Sequence, residues 1–327
     1  MPLKEEEIRP QKIFDEYLRL AKEDTKTYFS EVERVVGGCP ACGTQGEYAF
    51  DKFGFTYQVC PNCQTLFVNP RPSAVAFSKY YTESPSVRYW ASTFYKETAV
   101  ARREKLWKPK ARLIRDTLEQ YAAAHHTLVD IGGGFGLFAE EIHLLCGQAP
   151  IVIEPGPDLA AACRGKSLLV VQKFLEQVVP ADLPAGPKTF VSFELFEHLH
   201  DPATFLRQLN GLMTSGDLFI FTTLSGTGVD IQALWEDSKS VTPPHHLNFL
   251  NPRSVALLLA RLGFESCCVT TPGELDIDIL VNNRAAIKTR FWQTFVATAT
   301  ESEKAAWQEM IAATGWSSHM MVVCRKP

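Results

Sequence analysis

The chain has 327 residues, 46% of them hydrophobic and 21% charged, with a formal net charge of −4. That size and balance fit two globular units with a sizeable core, and the slightly acidic charge argues against wholesale nucleic-acid binding. No stretch reaches the roughly 18 apolar residues of a membrane span, and the first 26 residues mix charged and apolar types without a signal peptide's apolar run. A cytoplasmic protein with no membrane partner is expected.

Residues 5–29 place Ile8, Ile13, Phe14, Tyr17, Leu18 and Leu20 among charges, an amphipathic helix interrupted near its start by Pro10. Four cysteines follow in a short segment with strand-like runs such as 55–59, closed by Pro70 and Pro72. Residues 73–124 predict helices joined by a loop at Ser84-Pro85-Ser86. From Thr127 onward, short apolar strands (128–131, 151–153, 168–171, 189–193, 218–223) alternate with helices, which predicts a doubly wound α/β fold with a mostly parallel sheet. Strands at 265–270 and 319–324 lack a regular crossover and suit an antiparallel edge. The expected divisions are a helical segment over 1–34, a cysteine unit over 35–72, a helical connector and cleft cover over 73–115, and an α/β domain over 116–327.

Cys39-Pro-Ala-Cys42 and Cys60-Pro-Asn-Cys63 are two C-x-x-C knuckles separated by 17 residues. Four thiolates at this spacing can enclose one Zn²⁺ tetrahedrally, leaving no open position, so a structural zinc ribbon is expected. Gln64 stands where the first knuckle has Gly43, which predicts a looser second turn. The other five cysteines lie among apolar neighbours and read as small buried hydrophobes.

After the strand at 128–131, Gly132, Gly133, Gly134 and Gly136 crowd the turn into a helix. Such glycines let the backbone approach a ligand closely, and the helix start offers free N–H groups. Glu154 ends the next strand 22 positions after Gly132, where a carboxylate suits a ribose diol. A nicotinamide dinucleotide is the competing ligand, and a ligand-free turn is the plain structural reading. Asp130 favours a cationic ligand group over a pyrophosphate, which it would repel.

Val129-Asp-Ile-Gly-Gly-Gly-Phe-Gly136 resembles the first motif of class I S-adenosylmethionine (SAM)-dependent methyltransferases. Ile153-Glu-Pro155 resembles their second motif, and the stretch from Phe193 to Pro202 their fourth-strand motif. The resemblance covers about residues 115–327 and implies a seven-stranded, Rossmann-like sheet whose last two strands are antiparallel partners. It implies SAM as cofactor and S-adenosylhomocysteine as product, with Gly132 and Gly134 along the methionine part, Glu154 at the ribose and Phe174 near the adenine. With the ribbon, the chain is similar to sugar-nucleotide C-methyltransferases and their relatives, a likeness carried also by 69–72, 80–86 and 271–276. A ribosomal RNA base methyltransferase with a zinc finger is the second resemblance. The basic stretch over 88–115 leaves RNA phosphates open as a partner, or it is a solvated helix face.

Transfer from SAM needs alignment and an acceptor made nucleophilic. Glu194, Glu197 and His198 form an E-x-x-E-H turn similar to that of quinone-biosynthesis O-methyltransferases, where such residues hold a divalent cation. The favoured reading has Glu194 at the cofactor and the other two capping a helix. His245 and His246 follow the fifth strand. By resemblance to the sugar C-methyltransferases His246 is the first candidate for general base, although His245 replaces their glutamate; His198 is second. The expected acceptor is a small, anionic molecule, nucleotide-linked or otherwise phosphorylated, with C- or O-transfer left open. RNA methylation and a non-enzymatic SAM-binding module are the alternatives.

Overall fold

The computed structural model describes residues 3–327. Helix α1 (Gln11–Phe29) buries Phe14, Tyr17, Ala21 and Phe29 at helical spacing, together with Asp24, whose Oδ2 accepts from Ser86 N at 2.9 Å. Strands β1 (Glu47–Lys52), β2 (Phe55–Val59) and β3 (Leu66–Val68) then form an antiparallel ribbon. Helix α2 (Ala74–Glu83) is capped by Ser73. The expected loop at 84–86 is instead a second helix start. Ser84 accepts from Val87 N, Pro85 occupies the first turn, and a helical run continues to Gln120 through π turns at Trp90–Phe94 and Arg103–Trp107. Its final part, α3, is Lys108–Gln120.

Runs of Val, Ile, Leu and Phe make up β4 (Thr127–Ile131), β5 (Ile151–Ile153), β6 (Leu169–Val171), β7 (Lys188–Phe193) and β8 (Leu218–Leu224), which pair in parallel. β8 is buried along its whole length, as a strand covered on both faces must be. A two-residue strand β9 (Asn248–Phe249) precedes β10 (Glu265–Thr270) and β11 (His319–Arg325). The seven-stranded sheet has the order β10-β11-β8-β7-β4-β5-β6. The expected reversed edge is therefore corrected in one respect. Only β11 runs against the others, and it lies inside the sheet between β8 and β10. Helix starts agree with local chemistry: Pro157, Pro202 and Pro252 each open a helix, the last two behind the caps Asp201 and Asn251. The insertion between β10 and β11 builds a small core from Ile277, Leu280, Ile287 and Ile311, packed on Leu234 of the segment after β8. No described helix is long and apolar enough to cross a membrane.

The ribbon does not stand apart from the α/β domain. β9 pairs antiparallel with β3, Asn248 opposite Phe67 and Phe249 opposite Leu66, so the small sheet runs β9-β3-β2-β1. Asn251 Nδ2 donates to Cys63 O at 2.8 Å, and Tyr57 OH to His246 O at 2.7 Å. Arg71 joins the two parts: its guanidinium donates to Val68 O (3.0 Å), His200 O (2.5 Å) and Asn248 Oδ1 (2.5 Å). Burial pulls this guanidinium down to about 10. Replacing it leaves several buried carbonyls without a donor. Arg71→Met is expected to cost about 2–4 kcal/mol in chemical denaturation; a loss under about 0.5 kcal/mol would show that the bridge is not structural.

Candidate active site

The carboxyl ends of β4, β5, β6 and β7 meet at one edge of the sheet, where ligands sit in parallel α/β folds. Gly132, Gly134 and Gly136 take φ of 72°, 56° and 70°, and the turn runs into a helix starting at Leu137. A Cβ on Gly133 would lie 2.6 Å from Val152 Cγ1 and 2.9 Å from Asp130 Oδ2, so only glycine keeps that carboxylate uncovered. Asp130 is buried and its Oδ2 has no hydrogen-bond partner. Burial, reinforced by the neighbouring Glu154, pushes its carboxyl up to about 7. Such an oxygen suits an ammonium group. Glu154 is tied by both oxygens, accepting from Gly134 N (2.9 Å) and Gly156 N (2.8 Å), and each oxygen keeps a lone pair for a hydroxyl. Phe174 is exposed beyond β6. These residues fit SAM: a carboxylate for its amino group, a close backbone loop, and a carboxylate at the next strand.

Glu194 and Glu197 differ sharply. Glu194 holds a positive φ of 50°, a strained conformation for a side-chain-bearing residue. Its Oε1 accepts from Thr222 Oγ1 (2.8 Å), Lys110 Nζ (3.1 Å) and His319 Nε2 (2.8 Å). Burial alone would raise this carboxyl; the charges of His319 and Lys110 outweigh it and hold the group well below the usual range. Neither Lys110 nor His319 belongs to a motif, and sequence reasoning missed both. Glu197 is buried, accepts from Thr223 Oγ1 at 2.9 Å, and is pushed up to about 8 by burial and by Glu194.

The structure gathers Glu197 with His198 and His246, their ligand atoms within 4.8 Å of one another. Glu194 is turned away onto Lys110, Thr222 and His319, so the less favoured cation group Glu194–Glu197–His198 does not form, and the following helix is capped by Asp201 instead of Glu197 or His198. His198 Nδ1 bonds His245 O (3.0 Å) and His246 Nδ1 bonds Ser240 O (2.6 Å). A ring nitrogen facing a carbonyl must carry the proton, so each Nε2 keeps its lone pair. Burial pulls His198 down to about 4 and His246 to about 3. His245 faces elsewhere: its Nε2 lies 2.5 Å from Tyr80 OH, among Tyr17, Tyr80 and Tyr81, where it packs α1 and α2 onto the α/β domain. Tyr81 is partly exposed, and burial followed by the Glu197 charge raises its phenol. Over the glycine loop Tyr95 stacks on Phe135, ring centroids 4.7 Å apart.

At the ribbon, Sγ separations are 3.5 Å (Cys39–Cys63), 3.4 Å (Cys42–Cys60) and 3.6 Å (Cys42–Cys63). Four thiolates about 2.3 Å from a tetrahedral zinc lie about 3.8 Å apart, so the set fits Zn²⁺. The knuckles match: Gly43 N donates to Cys39 O at 2.8 Å and Gln64 N to Cys60 O at 2.9 Å. Gln64 adopts φ 59° without being glycine, and the expected looser turn is not found.

Residues 101–269 match a family profile described as a methyltransferase domain. The chain belongs to this methyltransferase family. Fold, glycine loop and family agree on a SAM-dependent methyltransferase. Among solved structures, this methyltransferase is similar to a SAM-dependent methyltransferase from Archaeoglobus fulgidus (18% identity, 66% of this chain and 94% of that one, TM-score 0.43). It is also similar to magnesium protoporphyrin IX methyltransferase from Synechocystis PCC 6803 with bound S-adenosylhomocysteine (10% identity, 73% and 97% covered, TM-score 0.46). Among curated proteins the sequence has no match.

Two outcomes are expected of this methyltransferase. A role for Asp130 in holding SAM's ammonium predicts affinity that weakens below about pH 7, by up to about tenfold per pH unit, and again above about pH 8, where the amino group loses its proton. Calorimetry on Asp130→Asn should give weak binding without the acid-side slope; a wild-type affinity level from pH 5 to 8 would contradict the role. The purified chain should carry zinc at the four thiols, and a chelator should destabilise residues 35–72 in hydrogen exchange. Unchanged exchange on chelation would contradict a structural metal there.

Proposed function

We propose that this methyltransferase transfers the SAM methyl group to a small anionic acceptor seated between the N-terminal cover and the group Glu197, His198 and His246. The acceptor's lone pair forms the bond to the methyl carbon. The S–CH₃ bond breaks with its electron pair returning to sulfur, and the acceptor's proton is given up at this group. His246 is assigned to promoting that proton loss, ahead of His198, with Tyr81 lining the same side. The observation that carries this reading is the convergence of two imidazole lone pairs and a buried carboxylate beside the cofactor edge. A nucleotide-linked or otherwise phosphorylated sugar is the leading acceptor class. Its support is the sequence resemblance together with Arg102, which lies over Trp90 and Tyr95 in the cover and whose Nε has no acceptor among the described residues.

An RNA acceptor is disfavoured by the pairing of the basic stretch. Arg103, Lys105, Lys108, Lys110 and Arg115 are engaged by Glu140, Glu7, Glu104, Glu194 and Asp116 of the chain itself, which leaves fewer cations for a phosphate backbone. In the same way the four-cysteine group reads as a structural zinc site that fastens the ribbon.

Sugar nucleotides offered with labelled SAM are the test of acceptor class. His246→Ala should keep SAM affinity within about twofold and lose about 10²–10⁴ in turnover, whereas turnover at the wild-type rate would remove His246 from the chemistry.

A further inference from the structure

We infer that Glu197, His198 and His246 form a binding site for one divalent first-row transition ion, such as Mn²⁺ or Fe²⁺, with open positions toward the acceptor. The inference rests on the acceptor being activated at this group, and it refines how His246 acts there: its Nε2 would hold the ion, which would acidify the acceptor so that its proton passes to solvent.

Three features carry it. First, both imidazoles turn a lone pair toward the Glu197 carboxyl. Both histidines have a proton committed to a backbone carbonyl through Nδ1, His198 to His245 O and His246 to Ser240 O, so both Nε2 atoms offer lone pairs. Glu197 accepts from Thr223 Oγ1 alone, and among the described residues no protein donor reaches either Nε2. Two imidazole lone pairs converging on one carboxyl form a donor set that a cation between them satisfies. Second, a ring proton held by a backbone carbonyl is the usual outer support of a metal-bound imidazole, because it fixes both tautomer and ring plane.

Third, the spacing is close. Ligands about 2.1 Å from one five- or six-coordinate ion lie about 3 Å apart. Atoms already within 4.8 Å need to close by less than about 2 Å, which side-chain rotation supplies. The backbone beneath is pinned: Leu247 N donates to Glu197 O (2.7 Å), His246 N to Thr242 O (3.0 Å) and Tyr57 OH to His246 O (2.7 Å). Glu197 is buried while both imidazoles are partly exposed, so an ion can enter from the cleft. Two imidazoles and one carboxylate leave two or three coordination positions for a hydroxyl or keto oxygen. They suit Mn²⁺, Fe²⁺ or Zn²⁺ better than the all-oxygen preference of Mg²⁺ or Ca²⁺. Glu194 is outside the set, committed to Lys110, Thr222 and His319.

Mn²⁺ titrated into the purified full chain, followed by its electron paramagnetic resonance signal, is the test. Mn²⁺ has little affinity for four thiolates, so the ribbon does not compete for the probe. One equivalent should bind to the wild type. Affinity should fall at least tenfold in His246→Gln and in His198→Gln, each checked for wild-type SAM binding as evidence of folding, and should change by less than threefold in Glu194→Gln. Absence of Mn²⁺ binding by the wild-type chain overturns the ion site, whatever the turnover of His246→Ala. Loss in Glu194→Gln without loss in His246→Gln overturns this ligand set. Mn²⁺ bound as expected while His246→Ala turns over normally would instead overturn the acceptor's placement.

Discussion

The arrangement of the site depends on one main-chain contact, the pairing of β9 with β3. The loop after β8 has to carry His246 to the cofactor edge, and a loop of that length has no intrinsic reason to hold one geometry. Asn248 and Phe249 solve this by becoming the edge strand of the ribbon's sheet. Leu247 N then reaches Glu197 O, and Leu247 O accepts from Val68 N at 2.9 Å. The ribbon thereby fixes the histidine loop, and the loop closes an edge of the ribbon that would otherwise be open. With the knuckle backbone also bonded to Asn251, a metal at the cysteines would act on the active site through a few covalently short steps.

The second constraint is the sorting of two carboxylates three residues apart. Thr222 and Thr223 are successive residues of β8, so their side chains leave opposite faces of the strand. Thr222 bonds Glu194 and Thr223 bonds Glu197. Glu194 is drawn to the side where α3 supplies Lys110 and β11 supplies His319, and it is kept ionised there. Glu197 is left on the side of the histidines. The positive φ at Glu194 is the strain that lets the chain turn between those two faces. One acid–x–x–acid turn thus places a settled anion on one face of β8 and a second carboxyl beside His198 and His246 on the other.

The sequence showed most of the parallel sheet, because each strand is a short apolar run, and the glycine loop, because its spacing is dictated by backbone geometry. It also showed the cysteine knuckles. Three things were not legible. The place of β11 inside the sheet depends on long-range pairing that alternation cannot express. β9 is two residues long, too short for any periodicity. The grouping of Glu197, His198 and His246 was hidden because E-x-x-E-H names neighbours in sequence, whereas His246 comes from 48 positions beyond His198 and Glu194 is captured by His319 from the far end of the chain. Gln64 shows a milder limit: the glycine preference at a knuckle is statistical, and tertiary contacts can hold another residue at the same φ.

His245 explains why two adjacent histidines serve different ends. Its ring is clamped between Tyr17 of α1 and Tyr80 of α2, with Nε2 on the Tyr80 hydroxyl, which in turn meets Ser86 Oγ at 2.9 Å. Its carbonyl holds His198 Nδ1. One residue therefore locks the N-terminal cover onto the α/β domain and at the same time sets the tautomer of a site histidine. A glutamate at this position could accept from Tyr80 but would place a charge among three phenols and two imidazoles, at a desolvation cost that a neutral ring avoids. With a neutral ring at 245, the imidazoles of His198 and His246 are oriented by backbone carbonyls instead of by an acid.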